Sequence, residues 1–223
     1  TEIYTIAYNL SLHDALRSVD YIGCTLKDNG IKPKKNLEAI TNTPTPTNKD
    51  QLRSYLGMIE FYAKFVRNFA EKVDDLRVLL KKGNKYVWGG KQKMAFENIK
   101  KELKNAEILV PFDPECDTLV TVDASAVGLE VILSQIQKRK EVTIAFASRT
   151  LTNTERNYST IEREALAAAW GLEYFRIYIW GRRVILRTDH KPLLKVLTSG
   201  GDAKVTARLA RLAARLQEYN YRI

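Results

Sequence analysis

Two short apolar stretches indicate how this chain folds: LVTVD at residues 119–123 and VILRTD at residues 184–189. Each is typical of a β-strand, and each ends in an aspartate, Asp123 in the first and Asp189 in the second. A carboxylate at the carboxyl end of a strand points into the crevice where open sheets tend to bind ligands. Because an aspartate there is also often only a turn residue, neither one identifies a site by itself.

The sequence around these strands predicts an α/β (α+β) domain over residues 109–223. Ser159 and Glu162 form a capping-box pattern, which predicts a helix that begins there and ends near Tyr178. The other predicted elements are strands at 118–122, 129–134, 142–147, 184–187 and from Tyr219, and helices at 191–197 and 203–218. The order β-β-β-α-β-α-α-β predicts a mixed five-stranded sheet with flanking helices, because three early strands suit an antiparallel meander and the fourth follows a helix.

The residues before about 108 carry a different pattern and are predicted to form a separate, mostly helical region. The segment 43–47, TPTPT, cannot form regular structure and predicts a linker. Asn48 is a suitable N-cap for one amphipathic helix over residues 49–69. A further helix over 91–105 is predicted to bury Met94, Phe96, Ile99 and Leu103.

The helix predicted over 49–69 has a face that is rich in aromatic residues. Its members are Leu52, Tyr55, Leu56, Ile59, Tyr62, Phe65 and Val66. Packing against a core is the favoured interpretation, and stacking on nucleobases is the alternative.

The charge of the chain indicates a polyanionic partner. The formal net charge is +10, and the first half, residues 1–106, holds +7 of it. Lysines and arginines that neutralise phosphates release counterions, so a basic chain of this size favours nucleic acid binding. Charge alone is weak evidence, because many soluble proteins are basic.

The composition also limits where the protein works. No apolar run approaches the roughly 18 to 20 residues of a membrane span, and the first residues do not form a secretory signal. Cys24 and Cys116 are far apart and lack the spacing of a metal site. We therefore expect reduced thiols, an intracellular location in cytoplasm or nucleus, and no membrane partner.

A third acid, Glu164, lies early in the helix between the two strand-end aspartates. Three carboxylates in one place repel one another unless cations hold them, and Mg²⁺ prefers such oxygen ligands. Spacing does not select Glu164 over Glu162, because residues two apart on a helix lie about 200° apart and only one can face the sheet. The chain has no G-x-S-x-G, H-E-x-x-H or phosphate-loop motif that would indicate another chemistry.

Several further residues are candidates for contact with a substrate. His190 follows Asp189 and is either an assistant at the site or a surface turn residue. Arg208 and Arg211 lie on one side of the last helix and meet either a phosphate backbone or solvent.

The chain resembles the C-terminal part of the polymerase of Ty3/gypsy-type long-terminal-repeat retrotransposons. The matching segments are VDYIG at 19–23, GIKP at 30–33, LRSYLG at 52–57, VDAS at 122–125, IAFASRTL at 144–151, NYS at 157–159, EREALA at 162–167, TDHKPL at 188–193 and ARLAR at 207–211. They cover most of residues 19–223 in the order of the family. Each segment is modestly specific, and their combination is highly specific.

The resemblance implies a domain organisation. Residues 1–42 resemble the end of the reverse transcriptase palm with its primer-grip hairpin, and residues 43–108 resemble the thumb and connection. Residues 109–223 resemble a ribonuclease H domain that is incomplete at its C-terminus. The expected partners are an RNA–DNA hybrid and the remainder of the polymerase polyprotein.

The resemblance also assigns roles to residues. Asp123, Glu164 and Asp189 match the family's catalytic, metal-binding acids, with Mg²⁺, or Mn²⁺ in its place, as the ion and no other cofactor. The implied reaction is two-metal hydrolysis of the RNA strand of a hybrid. The implied nucleic-acid contacts are Tyr21, Gly23, Ser125, His190, Lys191, Arg208 and Arg211.

Two departures from the family pattern favour an alternative function. The family has a fourth metal-binding aspartate on a helix beyond the fifth strand, whereas this sequence stops at Ile223. The family also usually has glycine where this chain has Glu130. A bulky anion near the metal centre would repel substrate phosphate. The alternative is therefore an inactive retroelement-derived module that contacts nucleic acid or protein. A third possibility is a structural subunit of a larger ribonucleoprotein.

Overall fold

The structure is a computed structural model that describes residues 19–21, 24–27, 30–33, 37–198 and 206–223. The chain divides into two compact units, Thr1–Phe112 and Asp113–Ile223. The described elements of the first unit are β1 (Val19–Tyr21), β2 (Cys24–Lys27), β3 (Gly30–Pro33), α1 (Leu37–Thr41), α2 (Lys49–Glu60), α3 (Phe69–Lys72), α4 (Asp74–Val78) and α5 (Gly90–Lys104).

The first unit combines a small antiparallel sheet with helices. Its strand order is β1-β2-β3, with Lys27 opposite Gly30. The Cβ of any residue replacing Gly30 would lie 2.4 Å from the carbonyl oxygen of Leu109, and Gly30 has a φ of +135°. Glycine is therefore required where β3 passes this close to a neighbouring backbone.

The prediction of a single helix over 49–69 is wrong, because α2 ends at Glu60. A 3₁₀ turn over Ala63–Phe65 follows, and Asn68 adopts a left-handed φ of +53° that interrupts the helical path. The predicted face is nevertheless buried, with Tyr62 7% and Phe65 2% exposed. The apolar spacing therefore identified core residues correctly, which supports packing over nucleobase stacking, although they lie on successive short segments.

The helix predicted over 91–105 is confirmed as α5. Phe96, Ile99 and Leu103 are buried, but Met94 is 74% exposed, so its assignment to the core is wrong. Met94 lies two residues before Phe96, about 200° around the helix, and therefore faces solvent.

The second unit contains one mixed sheet with helices. Its described elements are β4 (Thr118–Ala124), β5 (Gly128–Gln137), β6 (Lys140–Thr150), α6 (Thr160–Tyr174), α7 (Arg176–Ile179), β7 (Val184–Arg187), α8 (Lys191–Thr198), α9 (Ala207–Leu216) and β8 (Tyr221–Arg222). The strand order is β6-β5-β4-β7-β8. The meander β4-β5-β6 is antiparallel, and β4-β7 and β7-β8 are parallel pairs, so the predicted mixed five-stranded sheet is confirmed.

Helix α6 packs on the centre of this sheet through small residues. A Cβ added at Gly171 would lie 2.8 Å from Val131 Cγ2 and 3.4 Å from Val122 Cγ1, and both valines are buried. This glycine therefore allows α6 to approach β4 and β5 closely.

The close packing at Gly171 predicts opposite effects of two glycine-to-alanine changes. Gly171→Ala is expected to lower the free energy of unfolding of the second unit by about 1 kcal/mol, since overpacking exceeds the gain in helix propensity. Gly57 lies on α2, and an added Cβ there would have nothing within 4 Å. Gly57→Ala is therefore expected to raise the free energy of unfolding of the first unit by about 0.5 to 1 kcal/mol.

Urea unfolding followed by tryptophan fluorescence measures both effects. Trp170 and Trp180 report on the second unit in a Trp88→Phe background, and Trp88 reports on the first. A stabilising Gly171→Ala change would contradict the close packing.

In the part of the chain that the structure describes, no helix has the length and apolar character needed to cross a membrane.

Candidate metal centre

Three carboxylates meet at one edge of the sheet in the second unit. Asp123 is near the end of β4, and Asp189 follows β7 by two residues. Because β4 and β7 are neighbouring parallel strands, their carboxyl ends lie at the same edge. Glu164 approaches them from the second turn of α6, and one carboxylate oxygen from each of the three acids lies within 4.8 Å of the other two.

The three acids differ in their exposure to solvent. Asp123 and Asp189 are exposed, whereas Glu164 is only 4% exposed. The pKa of Glu164 is raised to about 7, most by burial and then by the charges of Asp123 and Asp189. Two hydrogen bonds oppose this rise in pKa, one from the backbone N–H of Ala124 and one from the hydroxyl of Thr188. The cluster therefore holds unbalanced negative charge that a cation would neutralise.

The structure separates Glu164 from Glu162, which spacing alone could not do. Glu162 accepts hydrogen bonds from the backbone N–H and the hydroxyl of Ser159, both at 3.0 Å, so the predicted capping box is confirmed. These bonds, led by that of the Ser159 N–H, hold the pKa of Glu162 below its usual value. Glu162 therefore caps the helix, and Glu164 is the acid that lies beside the two aspartates.

Three of the predicted nucleic-acid contacts lie close to the acids in the chain. The hydroxyl of Ser125 accepts bonds from the N–H groups of Val127 and Gly128 and so closes the turn between β4 and β5. His190 accepts a bond from the Leu193 N–H at Nδ1 and so caps the start of α8, as a turn residue would. Lys191 is the exposed first residue of α8.

The other predicted contacts are distributed differently. Arg208 forms an ion pair with Glu162 and lies 4.1 Å above the ring of Tyr158. Arg211 is exposed, and its Nε donates to the carbonyl of Ala207 on the same helix. Tyr21 is the last residue of β1, and Gly23 lies outside the described residues.

Glu130 lies on β5 directly opposite Asp123 in the strand register and is 3% exposed. A further acidic side chain is therefore buried next to the strand that carries Asp123. Its effect on a substrate phosphate stays a prediction.

Two side chains beside the acids were not recognised from the sequence. Thr188 donates to Glu164 at 3.5 Å and accepts from the His190 N–H at 3.1 Å, so it connects the end of β7 to α6. Arg163 donates to the Ser125 carbonyl at 3.3 Å and so connects α6 to the β4-β5 turn. In the sequence, the position of Thr188 directly before Asp189 could have indicated a hydroxyl near the acids. The spacing of residues did not indicate Arg163.

The strand order, the position of α6 and the acids at the sheet edge define a ribonuclease H-like domain. Residues 113–219 match the family described as "RNase H-like domain found in reverse transcriptase". The second unit therefore belongs to the ribonuclease H-like family of reverse transcriptases, and the chain is related to gypsy-type transposon polyproteins. The resemblance drawn from the sequence motifs is confirmed.

The similar proteins are polyproteins of retrotransposons. The chain is 31% identical to the retrovirus-related Pol polyprotein from transposon 412 of Drosophila melanogaster, over 97% of its own length and 18% of that protein. It is 36% identical to the retrovirus-related Pol polyprotein from transposon 297 of the same organism, over 93% of its own length and 19% of that protein. It is 30% identical to the transposon Tf2-3 polyprotein of Schizosaccharomyces pombe, over 92% of its own length and 16% of that protein. The chain thus spans less than a fifth of the length of these relatives.

Solved structures support the same fold. A foamy viral protease-reverse transcriptase in complex with an RNA/DNA hybrid has a TM-score of 0.74 at 23% identity, over 92% of this chain and 28% of that one. A foamy viral protease-reverse transcriptase in complex with dsDNA has a TM-score of 0.73 at 22% identity, over 92% of this chain and 44% of that one. At this level of identity the likeness shows the fold alone.

Proposed function

We propose that this chain is a retrotransposon-derived reverse transcriptase and ribonuclease H fragment that hydrolyses the RNA strand of RNA–DNA hybrids. The observation that carries the proposal is the approach of Asp123, Glu164 and Asp189 to within 4.8 Å at the edge of a ribonuclease H-like sheet. The polymer substrate suits the net charge of +10.

The three acids fit a hard divalent cation. They offer only carboxylate oxygens, which Mg²⁺ and Mn²⁺ prefer. Burial and then the charges of Asp123 and Asp189 raise the pKa of Glu164, and a bound cation would balance those charges. Asp123, Glu164 and Asp189 would hold the ions. When bound, two Mg²⁺ ions would activate water and stabilise the leaving oxygen.

The chain's own residues would hold these acids and the substrate in place. Thr188 would orient the buried carboxylate of Glu164, as its 3.5 Å hydrogen bond indicates. We assign the nucleic-acid contacts to Ser125, His190, Lys191 and Arg211, with Arg208, Tyr21 and Gly23 as further members. We also propose that residues 1–42 derive from the palm end and 43–108 from the thumb and connection of a larger polymerase.

Hybrid cleavage by the whole chain tests the proposal. A hybrid with a 5′-labelled RNA strand and a differently labelled DNA strand is incubated with the protein and Mg²⁺, and the products are separated on a denaturing gel. We expect the RNA strand to be cut at internal positions and the DNA strand to remain intact. EDTA should prevent cleavage, and excess Mg²⁺ should restore it.

An RNA–RNA duplex of the same sequence is the substrate control and should resist cleavage. Cutting of the duplex at an equal rate, or cleavage that persists in EDTA, would indicate a contaminating nuclease. Absence of cleavage with both Mg²⁺ and Mn²⁺ would contradict the proposal.

Glu130 favours a second candidate function, a non-catalytic module that binds nucleic acid. Its carboxyl group is buried opposite Asp123, and a negative charge there would repel an approaching substrate phosphate. Under this alternative the chain would bind the hybrid in a filter-binding assay but leave its RNA strand uncut. Glu130→Gly should then produce or increase Mg²⁺-dependent cleavage.

A further inference from the structure

The carboxylate of Glu162 connects three segments of the second unit. One oxygen accepts the N–H and the hydroxyl of Ser159, in the loop before α6. The other oxygen accepts the hydroxyl of Thr206 at 3.0 Å and Nη1 of Arg208 at 3.1 Å, both at the start of α9. Four hydrogen bonds thus converge on one side chain that is only 7% exposed.

Arg208 extends this connection to a further side chain. Its guanidinium lies 4.1 Å from the ring centroid of Tyr158, a cation–π contact, while it pairs with Glu162. The start of α6, the loop before it and the start of α9 are therefore held together at one point. We call Ser159, Glu162, Thr206 and Arg208 the helix-start cluster.

Glu164 lies two residues beyond Glu162 and needs support from its own helix. The charges of Asp123 and Asp189 repel it, and its hydrogen bond from Thr188 is long, at 3.5 Å. In an α-helix the N–H of residue 164 bonds to the carbonyl of residue 160, so fraying of the first turn would release Glu164 from its place.

We propose that Glu162, held by Arg208, is a positioning residue that fixes the first turn of α6 and so keeps Glu164 at the metal centre. This inference rests on the proposed function, in which Asp123, Glu164 and Asp189 bind divalent cations. Glu162 and Arg208 themselves contact neither ion nor reacting atoms in this role.

A second ion pair between the same two helices provides a matched control. Arg215 on α9 pairs with Glu173 on α6, with nitrogen–oxygen distances of 2.7 and 2.6 Å. Glu173 lies nine residues beyond Glu164, about 14 Å along the helix axis. Arg208→Ala and Arg215→Ala therefore remove the same charge from the same helix and break one ion pair each, but at opposite ends of α6.

The experiment measures the affinity of the full chain for Mn²⁺ alone, from the electron paramagnetic resonance signal of the free ion. Thermal unfolding of each variant is followed in parallel. Arg208→Ala is expected to weaken Mn²⁺ binding about tenfold, the size typical of losing a support behind a metal ligand. Arg208→Lys can keep one hydrogen bond to Glu162. It should therefore restore the affinity for Mn²⁺ to within about threefold of wild type.

The direction of this change separates positioning from simple charge effects. Removing a positive charge near the acids would by itself tighten Mn²⁺ binding, because the local potential becomes more negative. Arg215→Ala should lower thermal stability but leave the Mn²⁺ affinity within about twofold of wild type.

Equal affinity of Arg208→Ala and wild type, or an equal loss in Arg208→Ala and Arg215→Ala, would overturn the inference and leave the proposed function intact. If wild type and Asp123→Asn bind Mn²⁺ equally, the metal centre itself is absent, and both the proposed function and this inference fail.

Discussion

Asp123→Asn is expected to reduce cleavage of the RNA strand by about a thousandfold or more while leaving the protein folded. Asparagine has the same shape but no charge, so one of three anionic ligands is lost from the proposed metal centre. A thousandfold change corresponds to about 4 kcal/mol of activation free energy. Asp123 is exposed, so the substitution leaves no buried polar group without a partner.

Single-turnover cleavage of the labelled hybrid at saturating protein measures this loss. Asp117→Asn is the matched control, because Asp117 is an exposed aspartate directly before the other end of β4 and loses the same charge. We expect the control to cleave at the wild-type rate. Hybrid binding by Asp123→Asn should be equal or tighter, since a charge that repels phosphate is removed. Cleavage by Asp123→Asn within about tenfold of wild type would contradict the role of Asp123.

The sheet of the second unit was predictable because its strands combine apolar runs with clear ends. The strand over Val184–Arg187 has the bounds that the sequence indicated, and the sequence also predicts Asp123 and Asp189 at strand ends. That their strands are parallel neighbours is a long-range pairing. Spacing within one strand cannot encode that pairing.

Other features depended on contacts that the pattern of residues does not contain. Glu162 and Glu164 are equivalent by helical spacing, and the family resemblance alone favoured Glu164. In the structure, Glu162 is held by Ser159 in the capping box and also by Thr206 and Arg208, which lie more than 40 positions away in the chain. Apolar spacing also does not report that α2 ends at Glu60, or that a 3₁₀ turn over Ala63–Phe65 and the left-handed backbone of Asn68 follow it.

Glu164→Gln is expected to stabilise the metal-free second unit at pH 8 by about 3 kcal/mol and to remove a pH dependence of its stability. In wild type the pKa of Glu164 is raised from 4.5 to about 7, first by burial and then by Asp123 and Asp189. The folded state therefore binds this proton more tightly than the unfolded state. The resulting stability is fully present below pH 4.5 and is lost as the pH rises to about 7.

Urea unfolding in EDTA at several pH values between 5 and 8, followed by Trp170 and Trp180 in a Trp88→Phe background, measures this slope. Glu155→Gln is the control, because Arg149 lowers the pKa of Glu155 to about 2. The stability that Glu155 contributes is lost only as the pH falls from 4.5 towards 2, so its replacement should leave the slope above pH 5 unchanged. A Glu164→Gln protein that keeps the wild-type slope would contradict the raised pKa.

Addition of Mg²⁺ should then reverse the order of stability. Ions bound by all three acids stabilise the folded state of wild type by mass action and oppose protonation of Glu164. Glu164→Gln keeps only two of the three carboxylates, so the same Mg²⁺ concentration should raise its unfolding midpoint less. The buried charge that destabilises the metal-free protein is therefore the one that the proposed metal centre requires. A gain from Mg²⁺ that is equal in both proteins would show that Glu164 does not bind the ion.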